Sequence, residues 1–128
     1  MSSWLRNMEG RTPMSIDWST DIAIANLADE PALSDELGTL IERLESTEAA
    51  PHIVLDFHEV SYVNSSNIAQ LLRIRNLLDS RGLRLVMCSV TDEVMSVLVV
   101  SGLNKVFTFA PDTLTGIASV QIEDSQAQ

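Results

Sequence analysis

A single lysine, Lys105, stands in the 128 residues, and Lys plus Arg number 8 against 18 Asp plus Glu. The formal net charge is −10. Nucleic-acid binders release counterions from phosphates with clustered basic residues, so this composition excludes nucleic acid as a partner, and an anionic membrane surface with it. Cysteine is as scarce. Cys88 alone cannot close an internal disulfide, and inside the apolar run Leu85-Val86-Met87-Cys88 a thiol serves as a small hydrophobe. The two His and the one Cys show no i, i+3 or i+4 spacing, so no metal site and no cofactor are expected.

Long apolar runs are missing too. None exceeds the length of Val97–Val100, whereas a bilayer-spanning helix needs about 20 residues. Met1–Asn7 holds no apolar core of a secretory signal, and a cytoplasmic protein without membrane insertion is expected. There is no G-x-x-x-x-G-K-[ST], no G-x-G-x-x-G and no G-x-S-x-G, so the nucleotide loops and the hydrolase elbow have no fingerprint.

What is present describes one ordinary globular domain. The chain is 45% hydrophobic, and a domain of this length buries roughly two-thirds of its unfolded surface without staples. Residues 1–60 carry 12 acids and three Arg, while residues 61–128 carry six acids and five bases. The plain reading of that imbalance is a solvated acidic face, and mutual repulsion favours a monomer.

Residues 1–12 read as a loose lead-in, 13–122 as the domain and 123–128 as a frayed tail. Met14–Trp18 alternates apolar and polar like a half-buried strand, and Ile22–Leu27 reads as its hairpin partner across Ser19-Thr20-Asp21. The period then changes. Leu33, Leu37, Leu40, Ile41 and Leu44 form one helical stripe, with Asp35, Glu36, Glu42, Arg43 and Glu45 on the opposite side. Pro31 fits the opening turn. Ile53-Val54-Leu55 is continuous rather than alternating, which marks a central strand covered on both faces. A second helix follows Asn64-Ser65-Ser66-Asn67 and closes on Arg81-Gly82. Leu83–Val90 is the next strand, Thr91 caps a third helix ending at Gly102, Val106–Phe109 is the last strand, and Asp112 caps a last helix. The order ββαβαβαβα implies a single-domain α/β sandwich. In it an N-terminal β-hairpin precedes alternating β/α units, giving a mixed, mostly parallel sheet packed with helices.

Asp56, His58 and Ser65 supply the residue types of a hydrolase triad, but without elbow glycines to expose the nucleophile. The informative stretch is 56–82, where a strand delivers two hydroxyls to a helix start. With Leu55-Asp56, Val63-Asn64-Ser65-Ser66-Asn67, Arg81-Gly82, Leu85-Val86 and Ser101-Gly102-Leu103 in order, residues 14–120 resemble the STAS family, the domain of bacterial anti-sigma factor antagonists. The resemblance implies a partner-switching module rather than an enzyme. Its expected partner is an ATPase-type anti-sigma factor that is also a histidine-kinase-like serine kinase, with a phosphatase as a possible reversing partner. Carried over by position, the acceptor is Ser65, with Ser66 as the alternative. The implied docking face comprises Asn64, Ser65, Ser66 and Asn67 together with Asp29 and Glu30. Two positions depart from the family pattern. Asn64 replaces an Asp and removes a carboxylate beside the acceptor; Asn67 replaces a Gly and adds bulk next to the hydroxyl. Restoring Asp at position 64 is expected to speed phosphorylation if that carboxylate is limiting. The plain alternative is that Ser65 or Ser66 only caps the helix. A STAS adaptor on a transporter or sensor assembly, never phosphorylated, is the second functional reading.

Overall fold

The computed structural model describes residues 15–18 and 21–126, with side chains from 21 to 122. The lead-in 1–12, Met14, Ser19, Thr20 and residues 127–128 lie outside the described residues. Strand β1 (Ser15–Trp18) pairs antiparallel with β2 (Ile22–Ala28), with Trp18 opposite Ala23. Helix α1 (Ala32–Ser46) leads to β3 (His52–Glu59), and α2 (Ser65–Asp79) leads to β4 (Leu85–Cys88). Helix α3 (Asp92–Val100) and a 3-10 turn (Leu103–Lys105) precede β5 (Thr108–Ala110), and α4 (Thr113–Gln126) completes the order. The sheet order is β1-β2-β3-β4-β5, parallel from β2 onward. The expected ββαβαβαβα sandwich is therefore the fold.

β3 is central because it can be. Residues 52–57 are all buried, and their alternation feeds two cores. Ile53, Leu55 and Phe57 join Leu33, Leu37, Leu71 and Val94 beneath α1, α2 and α3. Val54 points the other way, to Val86, Cys88 and Val120 under α4. The termini follow ordinary capping chemistry. Thr91 accepts from the Val94 N–H, Asp112 accepts from the Thr115 N–H, and Gly82 and Gly102 take the left-handed conformation at φ +70° and +78°.

The structure corrects three details. Glu36 is not on the exposed side of α1: it is buried, and its Oε1 accepts the Ala28 N–H at 3.0 Å. Burial pushes its carboxyl above the usual range, against the pull of that hydrogen bond. β4 is shorter than 83–90, because the Leu83 N–H still closes α2 on the Leu78 carbonyl and Ser89 turns to φ 57°. β5 begins at Thr108 rather than Val106, the Val106 carbonyl instead accepting from Arg75 Nε at 3.1 Å. α4 runs through Gln126.

α4 reaches the sheet through Gly116. A Cβ there would lie 2.5 Å from Cys88 Sγ, 3.4 Å from Val86 Cγ1 and 3.5 Å from Val54 Cγ1. Alanine is worth about 1 kcal/mol more than glycine in a helix, whereas over-packing costs about 1–3 kcal/mol. Gly116→Ala should therefore destabilise on balance. Adding Cys88→Ala removes the clashing sulfur, so urea unfolding of the pair should recover more than the sum of the single changes. Simple additivity would mean that α4 does not sit on Cys88.

Candidate functional site

Two loops meet at the carboxyl end of the sheet. β2 ends at Ala28, and Asp29-Glu30-Pro31 lead into α1. β3 ends at Glu59, and the loop to α2 is pinned by buried Val60 and Val63 while Tyr62 stays exposed. Asp29 joins the two, its Oδ1 accepting the Ser61 N–H at 2.8 Å and its Oδ2 the Ser61 hydroxyl at 2.6 Å. That hydroxyl is the main reason the Asp29 carboxyl lies below its usual range.

Asn64, Ser65 and Ser66 are all acceptable N-caps by type, and the structure chooses Asn64. Its Oδ1 accepts the Asn67 N–H at 2.8 Å, and Asn67 Oδ1 accepts the Asn64 N–H at 3.0 Å, closing a reciprocal capping box. Asn67 is fully buried, so the bulk expected beside the hydroxyl turns inward instead. Its Nδ2 donates to Glu30 Oε2 at 3.1 Å, and Asn64 Nδ2 donates to the same oxygen at 3.3 Å. Ser34 supplies two more donors to Glu30, its N–H at 2.7 Å and its hydroxyl. Ser65 and Ser66 are exposed, and among the described residues no hydrogen bond engages either hydroxyl. The serines are thus released from capping and left facing solvent.

The residues expected at the docking face are brought together: Asn64 and Asn67 bond to Glu30, Asp29 braces the loop through Ser61, and the two serines stand at the start of α2. Their connection through Glu30 spans two loops distant in sequence and leaves no local signal. Asn64 lacks the carboxylate of the family pattern, but Glu30 brings one across from the other loop. The four donors hold the Glu30 carboxyl down from the ordinary value of 4.5 to about 2, the Ser34 hydroxyl contributing most. Because the folded pKa is depressed, the network's contribution is complete above pH 4.5 and is lost as pH falls towards 2. Carboxyl-detected NMR should find that midpoint, and Ser34→Ala should raise it. A Glu30 midpoint at the ordinary value in the wild-type chain would mean that the network does not form.

Asp56 and His58 do share a strand face. Asp56 Oδ1 accepts the His58 N–H at 3.0 Å and lies 3.2 Å from His58 Nδ1. The imidazole's other nitrogen lies 3.4 Å from Glu59 Oε1, and among the described residues no hydrogen bond joins His58 to Ser65. The relay to a nucleophile that a triad requires is not assembled. Among the described residues no group of three His, Cys, Asp or Glu could hold a metal ion. No helix among them is long and apolar enough to cross a membrane.

Charge is polarised along the strands. Every connection at the carboxyl end of the parallel strands is bounded by acid: Asp29 and Glu30 after β2, Glu59 ending β3, Asp92 and Glu93 opening α3, and Asp112 before α4. Arg43, Arg73, Arg75, Arg81, Arg84 and Lys105 lie in the second halves of α1 and α2 or in the loops entering β4 and β5, at the opposite end. The serines therefore sit on an acidic rim with no Lys or Arg among its described connections.

A putative anti-sigma factor antagonist from Thermotoga maritima superimposes with a TM-score of 0.72 at 14% identity, over 84% of this chain and 94% of that one. An anti-sigma-factor antagonist (STAS) domain protein from Planctomyces limnophilus gives 0.73 at 14% identity, over 86% and 99%. The Bacillus cell fate determinant SpoIIAA in its phosphorylated form gives 0.59 at 17% identity, over 77% and 91%. At such identities the likeness is one of fold. Among curated protein sequences there is no significant match. The family model for the STAS domain matches residues 31–115, from the helix start beside Glu30 to the first turn of α4, and the chain belongs to the STAS domain family.

Proposed function

We propose that this chain is an anti-sigma factor antagonist-like partner-switching protein. It binds an ATPase-type anti-sigma factor that doubles as a serine kinase, and phosphorylation of Ser65 ends the complex. It works in the cytoplasm as a regulator rather than a catalyst, and a phosphatase resets it. One observation carries the reading: Ser65 and Ser66 are exposed at a helix start whose capping is done entirely by Asn64 and Asn67. Their hydroxyls have no structural duty, and a phosphate placed there meets the positive end of the α2 dipole. SpoIIAA, which shares the fold, exists in a phosphorylated form. The docking face is Asn64–Asn67 with Asp29 and Glu30.

Asn64 in place of the family Asp favours one alternative, an unphosphorylated STAS adaptor of a transporter or sensor assembly. Intact-mass analysis after incubation with ATP and a histidine-kinase-like anti-sigma factor separates the two. One added phosphate, lost in Ser65→Ala and retained in Ser66→Ala, is the expected outcome. Label retained in Ser65→Ala and lost in Ser66→Ala moves the acceptor to Ser66. No label from a kinase active on a control antagonist leaves the adaptor.

A further inference from the structure

α3 and α4 leave neighbouring parallel strands towards opposite faces of the sheet. Val94 and Leu98 of α3 pack into the core shared with α1 and α2, whereas Ile117 and Val120 of α4 pack on Val54 and Val86. Where successive connections diverge in this way, an open α/β sheet leaves a crevice just past the carboxyl ends of its strands, and ligands gather there. In this chain the crevice is a groove of about 350 Å³ lined by Ser89, Val90, Met95, Phe109, Ala110 and Pro111. Val90, Met95, Phe109 and Ala110 are only half-buried and Pro111 is exposed. Ser89 ties the two walls together, its N–H donating to the Ala110 carbonyl at 3.2 Å and its hydroxyl to the Pro111 carbonyl at 3.3 Å. The groove is thus built before anything enters it.

Charge selects the occupant. Asp92 and Glu93 stand exposed in the first turn of α3, Asp112 stands exposed before α4, and no Lys or Arg lies on the described connections at this end. An acidic segment would be repelled, and a purely apolar one would leave those carboxylates unmatched. A cationic segment carrying one bulky apolar side chain satisfies both features. We propose that this groove docks a basic segment of a partner protein. An aliphatic or aromatic side chain seats against Met95 and Phe109, and flanking Lys or Arg face Asp92, Glu93 and Asp112. This surface is separate from the serine pair and needs no modification of Ser65.

The test titrates the ¹⁵N-labelled full chain with short peptides alternating Lys–Leu, Lys–Ser or Glu–Leu. The Lys–Leu peptide should move the amide resonances of Val90, Met95, Phe109 and Ala110. It should bind about tenfold or more tighter than Lys–Ser, because one side chain leaves water, and should weaken as salt rises. Glu–Leu should not bind. Met95→Lys places a cation in the groove and should cost about tenfold in affinity, and Glu93→Lys, at an exposed position, reads the charge contribution separately. Several results would overturn the proposal: shifts confined to another face, equal binding of Lys–Ser, or Glu–Leu binding as well as Lys–Leu. So would unchanged affinity in a folded Met95→Lys, or in Glu93→Lys should the first variant not fold. Concentration-dependent shifts of the same amides in the protein alone would assign the groove to a second copy instead.

Discussion

Leu37→Ala should lower the unfolding free energy by about 2–5 kcal/mol, the range of fully buried large-to-small changes. Leu37 is fully buried on the face of α1 that packs on β2 and α2, among Leu33, Leu40, Leu44 and the inward residues of β3. Truncation loses the transfer free energy of the deleted carbons and leaves a cavity that a strand buried on both faces cannot easily fill. Ile41, only half-buried on the same helix, should lose less when cut to alanine. Urea denaturation at constant m-value measures both. A loss below about 1 kcal/mol at Leu37 would mean that the stripe does not hold α1 to the sheet.

That stripe was legible because burial leaves a period in the sequence, and so were the central strand and most helix ends. Ile53-Val54-Leu55 has no polar position because α1 and α2 cover one face and α4 the other. Thr91, Asp112, Gly82 and Gly102 each solve a local backbone problem with a residue type that advertises the solution. The misread parts depend on contacts between distant segments. Glu36 looks solvent-facing by type, but it lies beside Leu37 where the end of β2 offers an unpaired N–H. Val106 and Phe107 look like strand, but Arg75 of α2 claims the Val106 carbonyl first.

The candidate site divides the same way. That a hydroxyl pair opens α2 is plain in Asn64-Ser65-Ser66-Asn67. Which residue caps is not, since Asn and Ser compete on nearly equal terms. The choice is settled by Glu30, distant in sequence, whose carboxylate draws the amides of Asn64 and Asn67 inward. The same bond changes the meaning of Asn64→Asp. An Asp at 64 can still cap, but it loses the amide donor and sets a second carboxylate against Glu30. The single substitution should therefore raise the Glu30 midpoint, and only together with Glu30→Gln does it test whether a carboxylate at 64 speeds phosphorylation.

On the proposed partner switch, Ser65→Asp should weaken binding of an anti-sigma factor more than a hundredfold, and Ser65→Ala should bind it constitutively. A phosphate adds about −1.5 to −2 charges at neutral pH, and the acidic rim offers it no Lys or Arg among the described connections. The free protein tolerates that charge, because Ser65 is exposed and the helix dipole favours an anion by about 0.3–1 kcal/mol. A docked interface does not, because it strips water from the anion while the rim's carboxylates stand close by. A loss of about 3 kcal/mol in binding exceeds a hundredfold in Kd, since about 1.4 kcal/mol is tenfold. The dipole's contribution is too small to offset it. The fold should be indifferent: neither serine caps α2, so Ser65→Asp and Ser65→Ala should melt close to the wild type. Calorimetric titration against the partner, read beside the melting temperature, separates a changed face from a damaged one. Wild-type affinity in Ser65→Asp would remove the switch and leave a constitutive adaptor in its place.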